Sequence, residues 1–247
     1  MNEPNYLLKW DEVGERFYET GISNGVLYPY DKNAADPAKV YGPGVVWNGL
    51  TGVTEKPSGA EATAIYADNI KYLTLMSNEE LGLTVEAYTY PDEFAECDGS
   101  AAIADGVSIG QQTRKRFGMC YKTLIGNDEE GTDKGYKLHL VYGCLASPSE
   151  RAYATVNDSP EAQTLSWEVT TNPVEVSGKK PTAIITIDST KADSTKLAAL
   201  ESKLYGTAAI AAVPADPEHN IAAADAVPAV DAYLPLPSEI ATMFAAG

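Results

Sequence analysis

The sequence predicts a mainly β protein with one flanking helix, and three observations predict it. Most of the chain falls into short runs in which apolar and polar residues alternate with period two, the pattern of half-buried strands. Glycine and tyrosine are frequent, 20 and 15 among 247 residues, which suits turns and pleated surfaces. Helical spacing is clear at Leu197, Leu200 and Leu204, with Asp193 or Ser194 as N-cap and Gly206 as the stop.

Leu83 to Asp128 sets the pattern: a strand run, the corner Tyr90-Pro91-Asp92-Glu93-Phe94-Ala95-Glu96, a Gly-rich loop, and a second long strand run. Upstream, Gly14 to Gly21 and Val26 to Tyr30 read as a β-hairpin. Asp36-Pro37 and Gly42-Pro43-Gly44 make Asp31 to Gly44 a loop, Val45 to Leu50 returns to strand, and Thr54 to Gly59 is expected as another loop. Strands follow over Ala62 to Tyr66, Ile70 to Met76 and Leu81 to Tyr90, the last with Leu83, Val85 and Ala87 opposed to Thr84, Glu86 and Tyr88.

Beyond the Pro91 corner come a short strand at Val107 to Ile109 and a long one at Arg114 to Ile125. In the long one, Phe117, Met119, Tyr121 and Ile125 share one face, while Arg114, Arg116, Cys120 and Lys122 share the other, which is expected to be polar and basic. In an acidic chain such a face points to acidic neighbours, in the same subunit or on another copy. Tyr136 to Leu145 and Thr164 to Thr170 are further half-buried strands, the latter with Leu165, Trp167 and Val169 opposed to Ser166, Glu168 and Thr170. Ala183 to Asp188 is the last strand before the helix. The chain therefore divides into a β body over 1–206, an Ala/Pro-rich linker or insertion over 207–235, and a short docking segment over 236–247, where Pro237 to Phe244 forms a terminal helix.

Hydrophobic residues at 44% and charged residues at 21% describe a globular chain. A formal net charge of −17 disfavours attachment to nucleic acid or an anionic membrane. The first residues, Met1 to Asp11, have no cationic end followed by an apolar core, and no apolar run approaches a membrane span, so residence in the cytoplasm is expected. Cys97, Cys120 and Cys144 are widely spaced and read as reduced thiols.

Catalytic motifs fail on their context. Gly106-Val107-Ser108-Ile109-Gly110 satisfies G-x-S-x-G, but it leads into a strand, and the chain's histidines, His139 and His219, lie in a strand pattern and in the Ala/Pro tail. Asn127 to Asp133 resembles an acidic calcium loop, yet its spacing puts Gly126 and Lys137 where ligands are needed, which leaves a solvated hairpin turn. Asn157-Asp158-Ser159 is a sequon followed by Pro160 and reads as an Asx turn. No zinc spacing, phosphate loop or dinucleotide fingerprint is present, so neither cofactor nor enzyme activity is expected.

Several stretches nevertheless match a known family in chain order. Gly14-Glu15-Arg16-Phe17-Tyr18-Glu19-Thr20-Gly21, Val46-Trp47-Asn48-Gly49-Leu50-Thr51, Tyr66-Ala67-Asp68-Asn69 and Tyr88 to Glu96 resemble the major tail protein, or tail tube protein, of long non-contractile-tailed bacteriophages. So do Ile109 to Lys115, Thr123 to Asp128, Asn157 to Ala162 and Leu165 to Val169; the match spans about Val13 to Tyr205. The resemblance implies a β-sandwich or half-barrel body flanked by a helix, assembled as hexameric rings that stack into a tube through which viral DNA passes. It implies a structural virion protein of the tail, made in the host bacterial cytoplasm. Its partners would be itself, the tape measure, tail tip and tail terminator, and DNA only in transit, with no membrane anchor.

On that model Thr84, Glu86, Ser166 and Glu168 are lumen candidates, and Asp31, Lys39, Tyr41, Lys56, Arg114 and Arg116 are subunit or ring contacts. Two other classes compete: a monomeric β-sandwich module whose long loops hold a ligand, and an esterase using Ser108.

Overall fold

The computed structural model describes residues 8–153, 155, 162–209 and 228–245. The strands are β1 (Tyr18–Pro29), β2 (Val45–Val46), β3 (Leu50–Gly59), β4 (Ala62–Ala67), β5 (Ile70–Met76) and β6 (Glu79–Ala87). They continue with β7 (Ala101–Ala104), β8 (Val107–Ile109), β9 (Phe117–Asn127), β10 (Gly131–Ala146), β11 (Leu165–Thr170) and β12 (Ile184–Asp188). Two helices follow, α1 (Ser194–Tyr205) and α2 (Pro237–Phe244).

Eight of these strands form one sheet in the order β2-β1-β9-β10-β11-β6-β3, with β12 also on β10; β4-β5 and β7-β8 are separate two-stranded hairpins. The sheet folds over itself along β10. Residues Lys137 to Val141 pair with β12, whereas Leu145 and Ala146 pair with β11. Between the two, the ladder with β9 slips a register between Val141 and Cys144. Gly143 sits at that bulge with φ 62, and a Cβ there would lie 2.2 Å from the Asn172 carbonyl oxygen, so the corner demands glycine.

Folding over creates two cores. Leu27, Trp47, Leu83, Val85, Phe94, Phe117, Met119, Val141, Trp167 and Val169 pack between the two halves of the sheet. The predicted Pro91 corner supplies the centre of this layer: Phe94 is fully buried, with ring centroids 4.6 Å from Trp47, 5.2 Å from Trp167 and 5.4 Å from Phe117. Trp167 also donates to Asp98 at 3.2 Å, which pairs in turn with Arg114 and Arg151.

The second core lies on the opposite face of β9 and β10. Cys120, Leu138, Leu140 and Tyr142 meet Leu197, Leu200 and Leu204 of α1 and Ile240 of α2. This corrects the basic face expected for Arg114 to Ile125. Arg114 and Arg116 precede β9, Cys120 is fully buried, and Lys122 donates to Glu201 of α1 at 3.2 Å with its ammonium 3.8 Å from the Tyr136 ring centre. A helix, not water or a second subunit, covers that face. α1 starts where its cap is read, with Asp193 accepting from the Lys196 amide at 2.9 Å, and ends at Gly206.

α2 makes a second flanking helix, held by a Leu234 amide to Tyr41 carbonyl bond of 3.0 Å and a Tyr142 hydroxyl to Pro235 carbonyl bond of 2.8 Å. Two boundaries differ from expectation. Thr54 to Gly59 is strand, because β3 runs on to pair with β6 as far as Gly59↔Glu79, and Pro57 is tolerated since β3 is an edge. Val45 to Leu50 splits into the two residues of β2 and the start of β3. Cys97, Cys120 and Cys144 are free and buried, and burial pushes the Cys97 and Cys120 thiols up to about 12.

Among the described residues the roll does not close into a barrel. β1 and β3 approach without a ladder, so near that a Cβ on Gly25 would lie 2.2 Å from Leu50 Cδ1.

Candidate assembly surfaces

Three surface features remain once the cores are accounted for. The first is the β4–β5 hairpin. Asp68 and Asn69 both have positive φ, 50 and 62, the backbone of a tight two-residue turn that Asp and Asn tolerate. Ile65 pairs with Leu73 and Thr63 with Leu75 on one face, while Ala62 pairs with Met76 on the other. Every residue of β5 is exposed, including Ile70, Tyr72, Leu73, Leu75 and Met76. An isolated hairpin is marginal in water, and an apolar one needs a cover it does not find among the described residues.

The second feature is the outer face of the β11-β6-β3 half. Cross-strand register sets Ser166 opposite Glu86 and Glu168 opposite Thr84, so the four lumen candidates lie together on one face, with Glu86 and Glu168 exposed, Ser166 half-buried and Thr84 buried. Lys56 of β3 joins them: its ammonium lies 2.8 Å from Glu168, which also accepts from the Thr84 hydroxyl at 3.1 Å. Those two bonds hold the Glu168 carboxyl below its usual range. Lys56, assigned above to ring contacts, thus shares a surface with the lumen candidates.

The third is the seam between β1 and β3. His139 of β10 is 7% exposed and stacks on Tyr121 of β9, centroids 4.6 Å apart and 5° from parallel. Its Nε2 lies 2.9 Å from the Thr123 hydroxyl, which itself donates to Glu19 at 2.6 Å, so the neutral ring carries its proton on Nε2. Nδ1 has no hydrogen-bond partner and faces Glu55 of β3 at 3.6 Å, while Glu55 accepts from the Tyr121 hydroxyl at 2.8 Å. Burial lowers the pKa of the imidazole; Glu55 and Glu19 oppose the shift and Lys137 adds to it.

Of the remaining contact candidates, Asp31, Lys39, Tyr41 and Arg116 gather around one loop, and Arg114 lies apart. Arg114 is spent on Asp98 and the Ala146 carbonyl. Tyr41 is 3% exposed, with its hydroxyl accepting from the Gly143 amide at 3.1 Å, so within the subunit it packs in the core. Asp31 and Lys39 are exposed on the loop between Tyr30 and Tyr41, and Arg116 is exposed beneath it. Ser108 sits in the exposed β7–β8 hairpin with no histidine near it among the described residues; His219 and Asn157-Asp158-Ser159 lie outside those residues. Asn127 closes the β9–β10 turn by accepting from the Glu129 and Glu130 amides at 3.2 and 2.6 Å. Among the described residues there is no cluster of His, Cys, Asp or Glu suited to a metal, and no helix long and apolar enough to cross a membrane.

Sequence reasoning missed the hairpin's isolation and the His139 cluster. A strand run looks the same whether or not something covers it, and Glu19, Glu55 and His139 are too far apart in the chain to read as a group.

No protein-family model matches the chain, and no curated protein matches it. Among solved structures it is similar to a chain of the cryo-EM structure of the anti-feeding prophage baseplate, 6-fold symmetrised, at 8% identity and a TM-score of 0.33. That match covers 74% of this chain and 99% of the other. A likeness at that score assigns neither family nor function.

Proposed function

We propose that the chain is a structural subunit that assembles with copies of itself into stacked hexameric rings, forming a phage tail tube through which DNA passes. The observation that carries this reading is the β4–β5 arm, whose exposed aliphatic and aromatic side chains on both faces require a partner surface. The outer face bearing Thr84, Glu86, Ser166 and Glu168 suits the lumen, because a polar surface on which, among the described residues, Glu86 is unpaired and Glu168 already holds Lys56 offers a passing polyanion few phosphate contacts. An unclosed roll with β3 at its edge leaves backbone groups for pairing between subunits. Tape measure, tail tip and terminator proteins would then bind the ends of the tube.

Negative-stain electron microscopy with sedimentation over a concentration series tests this. Rings or hollow tubes of uniform width are expected. A species that stays monomeric even with a tail-tip initiator complex present would contradict it and favour the ligand-binding module.

A further inference from the structure

The arm has a complementary site on the same molecule's far side of the sheet order, near the loop that follows β1. Tyr30, Val40, Tyr41, Arg116, Val174 and Leu236 line a cleft of about 230 Å³ there. The loop is closed at its base by the Tyr30 amide donating to the Arg116 carbonyl at 3.0 Å and the Asp31 amide donating to the Val40 carbonyl at 2.8 Å.

Among the described residues Arg116, at this cleft, is the one arginine without a carboxylate partner. Arg16, Arg114 and Arg151 each pair with an aspartate. Arg116 itself is exposed. Lys32 and Lys39 on the loop above it also lack a carboxylate partner, Lys39 lying 4.9 Å from the Tyr233 ring centre. The loop's own acids are exposed and engage local backbone: Asp31 accepts from the Asn33 amide at 2.8 Å and Asp36 from the Ala38 amide at 3.0 Å.

The arm carries unpaired acids together with one exposed lysine, Lys71 of β5. Among the described residues Glu61, Asp68, Glu79 and Glu80 have no cationic partner, and at the tip Asp68 is flanked by Tyr66 and Ile70, 69% and 64% exposed. Strands of six and seven residues project this tip about 20 Å from the sheet. A guanidinium at a cleft of mixed polarity, where Val174 and Leu236 stand beside Asn172, can pair with a carboxylate between two exposed apolar side chains.

Resting on the assembly reading above, we propose that the arm of one copy docks into this cleft of a second copy, with Asp68 paired to Arg116 and Tyr66 or Ile70 seated against Tyr30, Val174 and Leu236. The contact is head-to-tail, since arm and cleft are different surfaces, and it therefore propagates or closes into a ring.

A double-mutant cycle on the full chain tests it, using Asp68→Asn, which keeps a residue that tolerates positive φ, and Arg116→Gln. Both sites are exposed, so circular dichroism and melting midpoints stay at the wild-type values. Each single variant is expected to raise the concentration needed for assembly by about tenfold, and the double variant by the same tenfold rather than a hundredfold. Singles that assemble like wild type, or a double variant whose effect is the product of the two, would overturn the docking while leaving assembly standing. A wild-type chain that never assembles would remove both.

Discussion

Two hairpins in this chain, β9–β10 and β4–β5, are built from the same kind of sequence and end in opposite surroundings. Both alternate apolar residues along antiparallel strands. In β9–β10 one face is covered by the folded-over sheet and the other by α1 and α2, so Phe117, Met119, Cys120, Leu138, Leu140 and Tyr142 are all fully buried. In β4–β5 neither face is covered. Alternation reports which residues share a face; it does not report how many faces will be covered, and in the arm the described residues cover neither.

The comparison separates residues that hold the subunit from residues that join subunits. Phe94→Ala, which empties the centre of the aromatic layer beneath β9, is expected to cost about 3–5 kcal/mol of unfolding free energy in a denaturant titration. A loss under 1 kcal/mol would mean that the inter-sheet core is not what fixes the fold. Gly143→Ala comes next, at about 1–3 kcal/mol, because a side chain at that bulge meets the Asn172 carbonyl and a strained backbone.

A smaller effect is expected from His139, and its sign follows from burial. Its folded pKa lies below the ordinary 6.5, so below that pH the unfolded chain takes up the proton first. Stability from this group is present above pH 6.5 and lost as pH falls through the folded pKa. His139→Gln should flatten that part of the stability curve relative to wild type, with Glu19 and Glu55 still in place; an unchanged curve would show that the imidazole does not feel its burial. The smallest effect on stability belongs to the arm: Ile65→Ser with Leu73→Ser should shift the subunit's unfolding free energy within about 0.5 kcal/mol while abolishing assembly in sedimentation. A large stability loss would mean that the arm belongs to the subunit's own core.

Much of the body was legible because its cues are local. The Leu197, Leu200 and Leu204 spacing, the Asp193 cap and the Gly206 stop mark α1, and strict alternation marks β6 and β11, including the shared face of Thr84, Glu86, Ser166 and Glu168. What could not be read is what lies across from each strand. Cys120 and Lys122 look like a wet face until α1 arrives from seventy residues downstream, and Tyr41 looks like a loop residue until Tyr142 and Leu234 enclose it. Thr54 to Gly59 reads as loop because Pro57 and Gly59 are turn residues, yet they lie on an edge strand that can hold them.

The most direct test of the account is amide hydrogen exchange followed separately over β4–β5 and β9–β10, in the free subunit and in the assembled particle. Slow exchange is expected over β9–β10 in both states, with fast exchange over β4–β5 that becomes slow only on assembly. Protection of β4–β5 that is already strong in the free subunit, or that stays weak in the particle, would contradict the arm's role as the joining element.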